Sequence, residues 1–148
     1  MLIDLDTAPA VGPVRLGMEY DRVEAALRHF GSPSWMCMGG AWTVYRSSGL
    51  SITPRRGHDN RRIESIRFEG TLWDDAAEPD SLRFRGIDLL TLPWREVVDR
   101  LAAHLPVTEE ERVFTVEAAP GVELSLILPW DEEDPRVFGQ VVVSFADA

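Results

Sequence analysis

A repeat with an offset of 74 residues is the feature of this sequence that most restricts its fold. The stretch from Gly12 to Gly31 returns in the second half of the chain, with four of six marker positions identical and two conserved in type. The matched pairs are Gly12 and Gly86, Leu16 and Leu90, Met18 and Leu92, Tyr20 and Trp94, Val23 and Val97, and Leu27 and Leu101. The offset is half of the 148 residues. We therefore expect one domain made of two copies of a unit, about residues 1–74 and 75–148.

Each copy is predicted to contain one amphipathic helix. In the first, Glu19 to Phe30 places Val23, Ala26, Leu27 and Phe30 at helical spacing, and Gly31 ends the segment. In the second, Pro93 is suited to the first turn of a helix. The apolar stripe of this second helix consists of Trp94, Val97, Val98, Leu101 and Leu105.

Three strands are expected after each helix, from the alternation of apolar and polar residues. Their predicted bounds are Ala41–Arg46, Leu50–Thr53 and Arg62–Glu69 in the first copy, and Arg112–Glu117, Val122–Leu128 and Arg136–Phe145 in the second. Loops are expected at Trp35–Gly40 and Pro54–Arg61. The 74-residue offset places Leu50 on Leu124 and Ile63 on Val137, with the same expected alternation.

These patterns predict an α+β fold of two tandem α-β-β-β repeats. Neither helix can bury its apolar stripe alone, so both are expected on one face of a single antiparallel sheet. The other face of the sheet is expected to be partly open. Trp42 and Val44 are expected to share the core face, which would put Thr43 and Tyr45 on the open face.

The start of the repeat resembles a known family. Leu16-Gly17-Met18 before the helix, Val23 and Leu27 within it, and Phe30-Gly31-Ser32-Pro33 after it are similar to the opening motif of small outer-membrane assembly lipoproteins of the BamE/SmpA type. Two such units in tandem resemble the beta-lactamase inhibitor protein fold, and the whole pattern looks like that of uncharacterised actinobacterial proteins of similar length. The chain departs from these proteins in having no export signal, no lipidated N-terminal cysteine and no cysteine pair. The resemblance therefore implies a fold and carries over no site residues.

The net charge of −10 comes entirely from the second half. Residues 1–74 contain nine Arg and nine Asp or Glu, whereas residues 75–148 contain six Arg and sixteen acidic residues. Such a half would repel nucleic acid and membrane surfaces and attract a basic partner. The alternative is that the charge only keeps the protein soluble. The beginning of the chain lacks the pattern of a signal peptide and Cys37 is the single cysteine, so we expect a cytoplasmic protein.

The sequence contains no pattern typical of catalysis, metal binding or cofactor binding. No phosphate-binding loop, nucleophile motif or pair of metal ligands is present, and His29, His58 and His104 are scattered singly. We therefore predict no catalytic residues, no metal and no cofactor. The cluster of Arg55, Arg56, Arg61 and Arg62 leaves open whether an anion binds there.

Tryptophans beside acidic residues are the best candidates for a contact with another protein. Large aromatic side chains anchor such contacts, and the flanking charges steer the partner. The predicted partner-binding residues are Trp35, Tyr45, Trp73, Asp74, Asp75, Trp130, Asp131, Glu132, Glu133 and Asp134. For each tryptophan, packing in the core remains the alternative.

The function expected from the sequence is that of a non-catalytic protein-binding module. It fits an immunity or inhibitor protein that neutralises a basic partner. The alternative is a domain that binds a small ligand on the open sheet face. A solvent-open aromatic surface would favour the first, and a deep closed apolar pocket would favour the second.

Overall fold

The computed structural model describes residues 1–37, 39–70 and 80–146. Its first half consists of three short strands, a short helix and a four-stranded meander. In chain order these are β1 (Leu2–Asp4), β2 (Ala10–Val11), β3 (Val14–Arg15), α1 (Val23–Leu27), β4 (Pro33–Met36), β5 (Ala41–Tyr45), β6 (Leu50–Arg56) and β7 (Ile63–Gly70). Single 3₁₀ turns lie at Leu5–Thr7 and Tyr20–Arg22.

The second half follows the same order of a strand pair, a helix and a four-stranded meander. Its elements are β8 (Ser81–Phe84), β9 (Ile87–Asp88), α2 (Trp94–Ala102), β10 (Thr108–Glu110), β11 (Val113–Ala119), β12 (Val122–Ile127) and β13 (Gln140–Phe145). No helix in the described ranges is long and apolar enough to cross a membrane.

Both meanders belong to one eight-stranded antiparallel sheet with the order β10-β11-β12-β13-β7-β6-β5-β4. The two halves meet at β7 and β13, where Arg67 lies opposite Val142 and Phe68 lies opposite Val141. The predicted α+β class with a large antiparallel sheet is confirmed. The N-terminal strand β1 also links the halves, because it pairs in parallel with β8.

Strand alternation gives the sheet an apolar and a polar face. On the first face lie buried residues such as Ile52, Phe68 and Leu124, which form one hydrophobic cluster with Val23 and Leu27 of α1 and with Val97 and Leu101 of α2. Trp42 packs against this cluster, as expected, and its backbone N–H donates to the Tyr20 hydroxyl at 2.9 Å. The second face carries Ser, Thr, Arg and Glu side chains, and we call it the polar face.

The first helix is shorter than the sequence predicts. Residues 20–22 form a 3₁₀ turn, α1 covers only Val23–Leu27, and the following residues form a turn. The backbone N–H groups of Arg28, His29 and Phe30 bond to carbonyls three residues back, which tightens the end of the helix. The predicted apolar side was nevertheless correct, because Val23, Leu27 and Phe30 are all buried.

Two predicted loops are wrong in part. Residues 33–36 form strand β4, so the expected Trp35–Gly40 loop begins later, and the meander has four strands where three were expected. Residues Pro54–Arg56 belong to β6. Pro54 is tolerated there because this part of β6 is paired in register with β7 and not with β5.

The constant offset of 74 residues also fails at the last strand. Ile63 is buried, but Val137, its expected counterpart, is only half-buried, and the buried side chain is Phe138. Ile66 and Phe68 face the core, and so do Val141 and Val143. The pairs Ile66 with Val141 and Phe68 with Val143 are each 75 residues apart. One additional residue before β13 therefore shifts the alternation, and the expected placement of Ile63 on Val137 is incorrect.

Candidate functional site

The predicted partner-binding residues are divided between the two ends of the sheet. Trp35 lies on β4 and is 46% exposed, and Tyr45 lies on β5 and is 58% exposed. Trp130 follows β12, beside the opposite edge, and is 65% exposed. Asp131, Glu132, Glu133 and Asp134 are all exposed in the segment after it, which we call the acidic turn. The remaining predicted residues, Trp73, Asp74 and Asp75, lie outside the described residues.

These two groups cannot form one compact contact patch. Strand β12, which precedes Trp130, is five inter-strand intervals from β4 and four from β5. At a spacing of about 4.8 Å between neighbouring strands, the separation is about 20 to 25 Å along the sheet. Trp35 and Tyr45 also project from opposite faces of the sheet, because Trp35 is paired with Trp42, three residues before Tyr45. The surfaces around Trp35, Tyr45 and Trp130 must therefore be considered separately.

Trp130 borders a hollow on the polar face, which we call the acidic hollow. Its volume is about 460 Å³. The lining residues are Thr108, Glu110, Glu111, Val113, Thr115, Glu123 and Trp130. Each of them is exposed or half-buried, so the hollow is open to solvent. Three carboxylates beside one exposed indole suit a cationic group, which can pair with the carboxylates and lie against the ring.

Arg112 holds the segment that carries Trp130. Its guanidinium Nη1 donates hydrogen bonds to the carbonyl oxygens of Pro129 and, at 2.9 Å, of Glu132. Its own carbonyl accepts the backbone N–H of Leu128 at 3.0 Å. The chain on both sides of Trp130 is therefore fixed to the start of β11, and the indole is presented on a positioned turn.

Four residues of this surface were not predicted from the sequence, namely Arg112, Glu110, Glu111 and Glu123. Alternation along the predicted strands could have put Glu123 and Thr115 on the same face. Glu110 and Glu111 could not be placed on this surface, because strand β10 was not predicted. Arg112 was missed because its contacts join residues 17 and 20 positions apart.

Arg67 lies at the centre of the polar face and has unused hydrogen-bonding capacity. It is flanked across the sheet by Thr53 and Val142. Its Nη1 lies 3.7 Å from Glu69 Oε1, and that oxygen already accepts a 2.6 Å hydrogen bond from Gln140 Nε2. The Nε of Arg67 is buried and has no hydrogen-bond partner in the described part of the chain. A buried donor without an acceptor is costly, so this position is notable.

Asp80 forms an ionic cluster between the halves. Its carboxylate accepts hydrogen bonds from Arg46 Nε at 2.5 Å, from the Ser48 hydroxyl and from the Met1 amino group at 3.0 Å. Burial alone would raise the pKa of Asp80, but these hydrogen bonds outweigh it and hold the pKa below its ordinary value. The cluster is thus explained by structure, since it joins the N-terminal strand and the β5–β6 turn to the second half.

Three members of the arginine cluster, Arg56, Arg61 and Arg62, border a second hollow of about 610 Å³. Two of its guanidinium groups are already bonded: Arg56 donates to the Gly40 carbonyl at 2.8 Å, and Arg62 to the Gly17 carbonyl at 2.9 Å. Asp59 accepts the backbone N–H groups of Arg61 and Arg62, and these bonds lower its pKa. The described hollow is thus mixed in charge, with Glu19 and Asp21 also in its lining.

Within residues 1–37, 39–70 and 80–146, no group of three or more His, Cys, Asp or Glu side chains is placed to hold a metal ion. Both carboxyls with a lowered pKa owe it to hydrogen bonds that close a turn or join two segments.

The chain matches no known protein-family model, no curated protein and no solved structure. The resemblance to the BamE/SmpA-type lipoproteins and to the beta-lactamase inhibitor protein fold therefore stays a prediction.

Proposed function

We propose that this chain is a non-catalytic binding protein whose acidic half holds a basic protein partner. The observation that carries the proposal is Trp130, 65% exposed at the border of the acidic hollow. An exposed tryptophan in a positioned turn is a typical anchor for a protein contact. A partner that inserts Arg or Lys would meet Glu110, Glu111 and Glu123 together with the indole ring.

The distribution of charge supports a basic partner. The excess of ten negative charges lies in residues 75–148, and the first half is neutral. The electric field of these negative charges therefore attracts cations to one end of the molecule. This field orients a cationic partner during encounter. Because the hollow is open and its lining is polar, a side chain on another protein suits it better than an enclosed small molecule does. An immunity or inhibitor protein that covers a basic toxin or enzyme fits this chemistry.

The test is affinity isolation from the native host with three versions of the protein as bait. These are the wild type, Trp130→Ala and, as a matched control, Trp35→Ala at the other end of the sheet. A genuine partner is retained by the wild type and by Trp35→Ala and is lost with Trp130→Ala. A partner that all three baits retain equally, or a recovered set without any basic protein, would contradict the proposal.

A second candidate function rests on Arg67. Its Nε is buried and has no hydrogen-bond partner among the described residues. A small ligand with a carboxylate or phosphate group that displaced the atoms covering this Nε would supply the missing acceptor. Titration with citrate or inorganic phosphate, followed through the Arg67 Nε–H signal in ¹H–¹⁵N spectra, tests this. Arg83 is the control, because its Nε already donates to Ser81 Oγ at 2.8 Å. If the Arg67 signal does not shift more than the Arg83 signal, this candidate fails.

We also propose that the chain arose from two tandem copies of one unit, with both helices on the same face of the shared sheet. From β2 onward, and with the 3₁₀ turn before α1 set aside, the element order of the first half returns in the described part of the second half, and Val23, Leu27, Val97 and Leu101 belong to one hydrophobic cluster. With the offset of 75 residues at the last strand, the β7–β13 register is symmetric about the Arg67 and Val142 pair. Superposing the halves of an experimental structure, with residues 12–56 placed on 86–130 and residues 63–70 on 138–145, tests the proposal. Differing strand orders would refute it.

A further inference from the structure

The edge strand β4 presents an apolar surface without charge. It pairs with β5 on one side, and no strand among the described residues pairs with its other side. Trp35 and Met36 on this strand are both exposed, and so is the neighbouring Tyr45, whose hydroxyl donates to Met36 Sδ at 3.0 Å. An edge strand of this kind exposes unpaired backbone groups together with large side chains, which favours pairing with another strand.

The opposite edge strand, β10, is protected from pairing. All three of its residues are exposed, two of them are Glu109 and Glu110, and Glu111 follows directly. Charged side chains on an edge strand are a common means of preventing association through the sheet. Since β4 and β10 each begin the meander of their half, the difference between them is informative: β10 carries charge, whereas β4 carries none and limits pairing only at Pro33, which has no N–H to donate.

We propose that two copies of the chain associate through β4, which pairs antiparallel with the same strand of a second copy. Contact between β4 of one copy and β10 of the next would leave free edges and grow into a filament, and the glutamates of β10 oppose it. Pairing of β4 with itself closes on a two-fold axis and brings two uncharged edges together. The acidic edge strand β10 of each copy lies seven strand intervals, about 30 Å, from β4 along the sheet, beyond the ~10 Å over which charges act in ordinary buffers.

The side chains of β4 favour a register with Trp35 opposite its counterpart. Directly opposed residues in an antiparallel pair lie on the same face of the sheet. In this register Trp35 lies opposite Trp35 of the second copy, so the two opposed residues belong to the same face. Trp35 already packs edge-on against Trp42, with ring centroids 5.3 Å apart. A second indole would extend this aromatic contact across the axis. Only four residues of each copy take part, so the interface falls short of the roughly 1,200 Å² of a stable complex, and the dimer dissociates on dilution.

Sedimentation velocity across a concentration series of the full chain tests the proposal, with reductant present because Cys37 is an exposed free thiol. The decisive variant is Ser34→Lys, which gives β4 the charge that β10 has. Its matched control is Thr108→Lys, at the corresponding exposed position of β10. The wild type and Thr108→Lys are expected to dimerise alike. For Ser34→Lys the association constant is expected to fall by about tenfold or more, because the new charge loses its hydration in the interface.

A second pair of variants removes one exposed indole at each end of the sheet. Trp35→Ala is expected to weaken the dimer, and Trp130→Ala is expected to leave it unchanged. Circular dichroism spectra and melting temperatures show whether each variant is folded. A wild type that stays monomeric at every concentration would overturn the proposal. So would equal effects of Ser34→Lys and Thr108→Lys, or a dimer that Trp130→Ala weakens as much as Trp35→Ala does.

Discussion

Trp130 is highly exposed and is held in a fixed position. A substitution there is therefore expected to affect binding much more than the stability of the fold. Replacing it with Ala removes few contacts in the free protein, so the free energy of unfolding is expected to change by less than about 0.5 kcal/mol. In a complex, the loss of a desolvated aromatic anchor of about 2 kcal/mol would speed dissociation by about thirtyfold. Surface plasmon resonance with the isolated partner measures this rate. An unchanged dissociation rate would exclude Trp130 as an anchor.

Asp80 makes the stability of the fold depend on pH. Its side chain is 3% exposed, and its pKa in the folded state lies below the ordinary value because Arg46, Ser48 and the Met1 amino group donate to it. A lowered pKa in the folded state contributes stability that is present above the pKa of the unfolded state, about 3.9, and is lost as the pH falls through the folded value.

We therefore expect Asp80→Asn to lower the melting temperature at pH 7. The difference from the wild type should shrink as the pH falls below about 4, because the wild-type carboxylate then becomes protonated. Differential scanning calorimetry at several pH values measures it. Asp21→Asn is the control, since that carboxylate is exposed and should give little effect at any pH. A difference between Asp80→Asn and the wild type that is constant over this range would contradict the ionic explanation.

At the scale of the element, we expect the acidic turn to act on binding through charge. Changing Asp131, Glu132, Glu133 and Asp134 to Asn or Gln should leave the melting temperature nearly unchanged, because all four side chains are exposed. Association with the partner should slow, and the slowing should fade at high salt, since exposed charges act mainly on the rate of encounter.

Association kinetics at two salt concentrations measure this effect. The control neutralises four acids outside the acidic turn and the acidic hollow, namely Glu19, Asp21, Glu96 and Asp99, which changes the net charge equally. If both variants slow association to the same degree, the effect comes from net charge and the acidic turn has no special part in it.

The elements that sequence predicts well are those with a strong internal pattern. The core faces of β6 and β7 could be predicted because Ile52, Ile66 and Phe68 alternate with polar residues. Strand β4 could not, since it is short, exposed and defined by its pairing with β5. The same limit applies to the site: Trp130 and the acidic turn were predicted from composition, whereas the contributions of Arg112 and Glu110 depend on long-range contacts.

At the scale of the whole molecule, the two halves share one core. Residues of both meanders and both helices form a single hydrophobic cluster, the sheet is continuous through β7 and β13, and β1 pairs with a strand of the second half. Two halves of one chain could instead have formed two units that unfold separately. Here neither half can lose its structure without exposing apolar side chains of the other, so unfolding should be cooperative.

Leu27 and Leu101 occupy matching places in α1 and α2, and both are buried in this shared core. Replacing either with Ala should lower the free energy of unfolding by ~2–5 kcal/mol through lost contacts and the cavity left behind. Chemical denaturation followed by circular dichroism and by tryptophan fluorescence should give one coincident transition for the wild type and for each variant. Leu2→Ala is the control, because Leu2 is 57% exposed and its loss should cost less than about 1 kcal/mol. Two separate transitions, or a variant that shifts only one of the two signals, would mean that the halves fold independently and that the common core does not couple them.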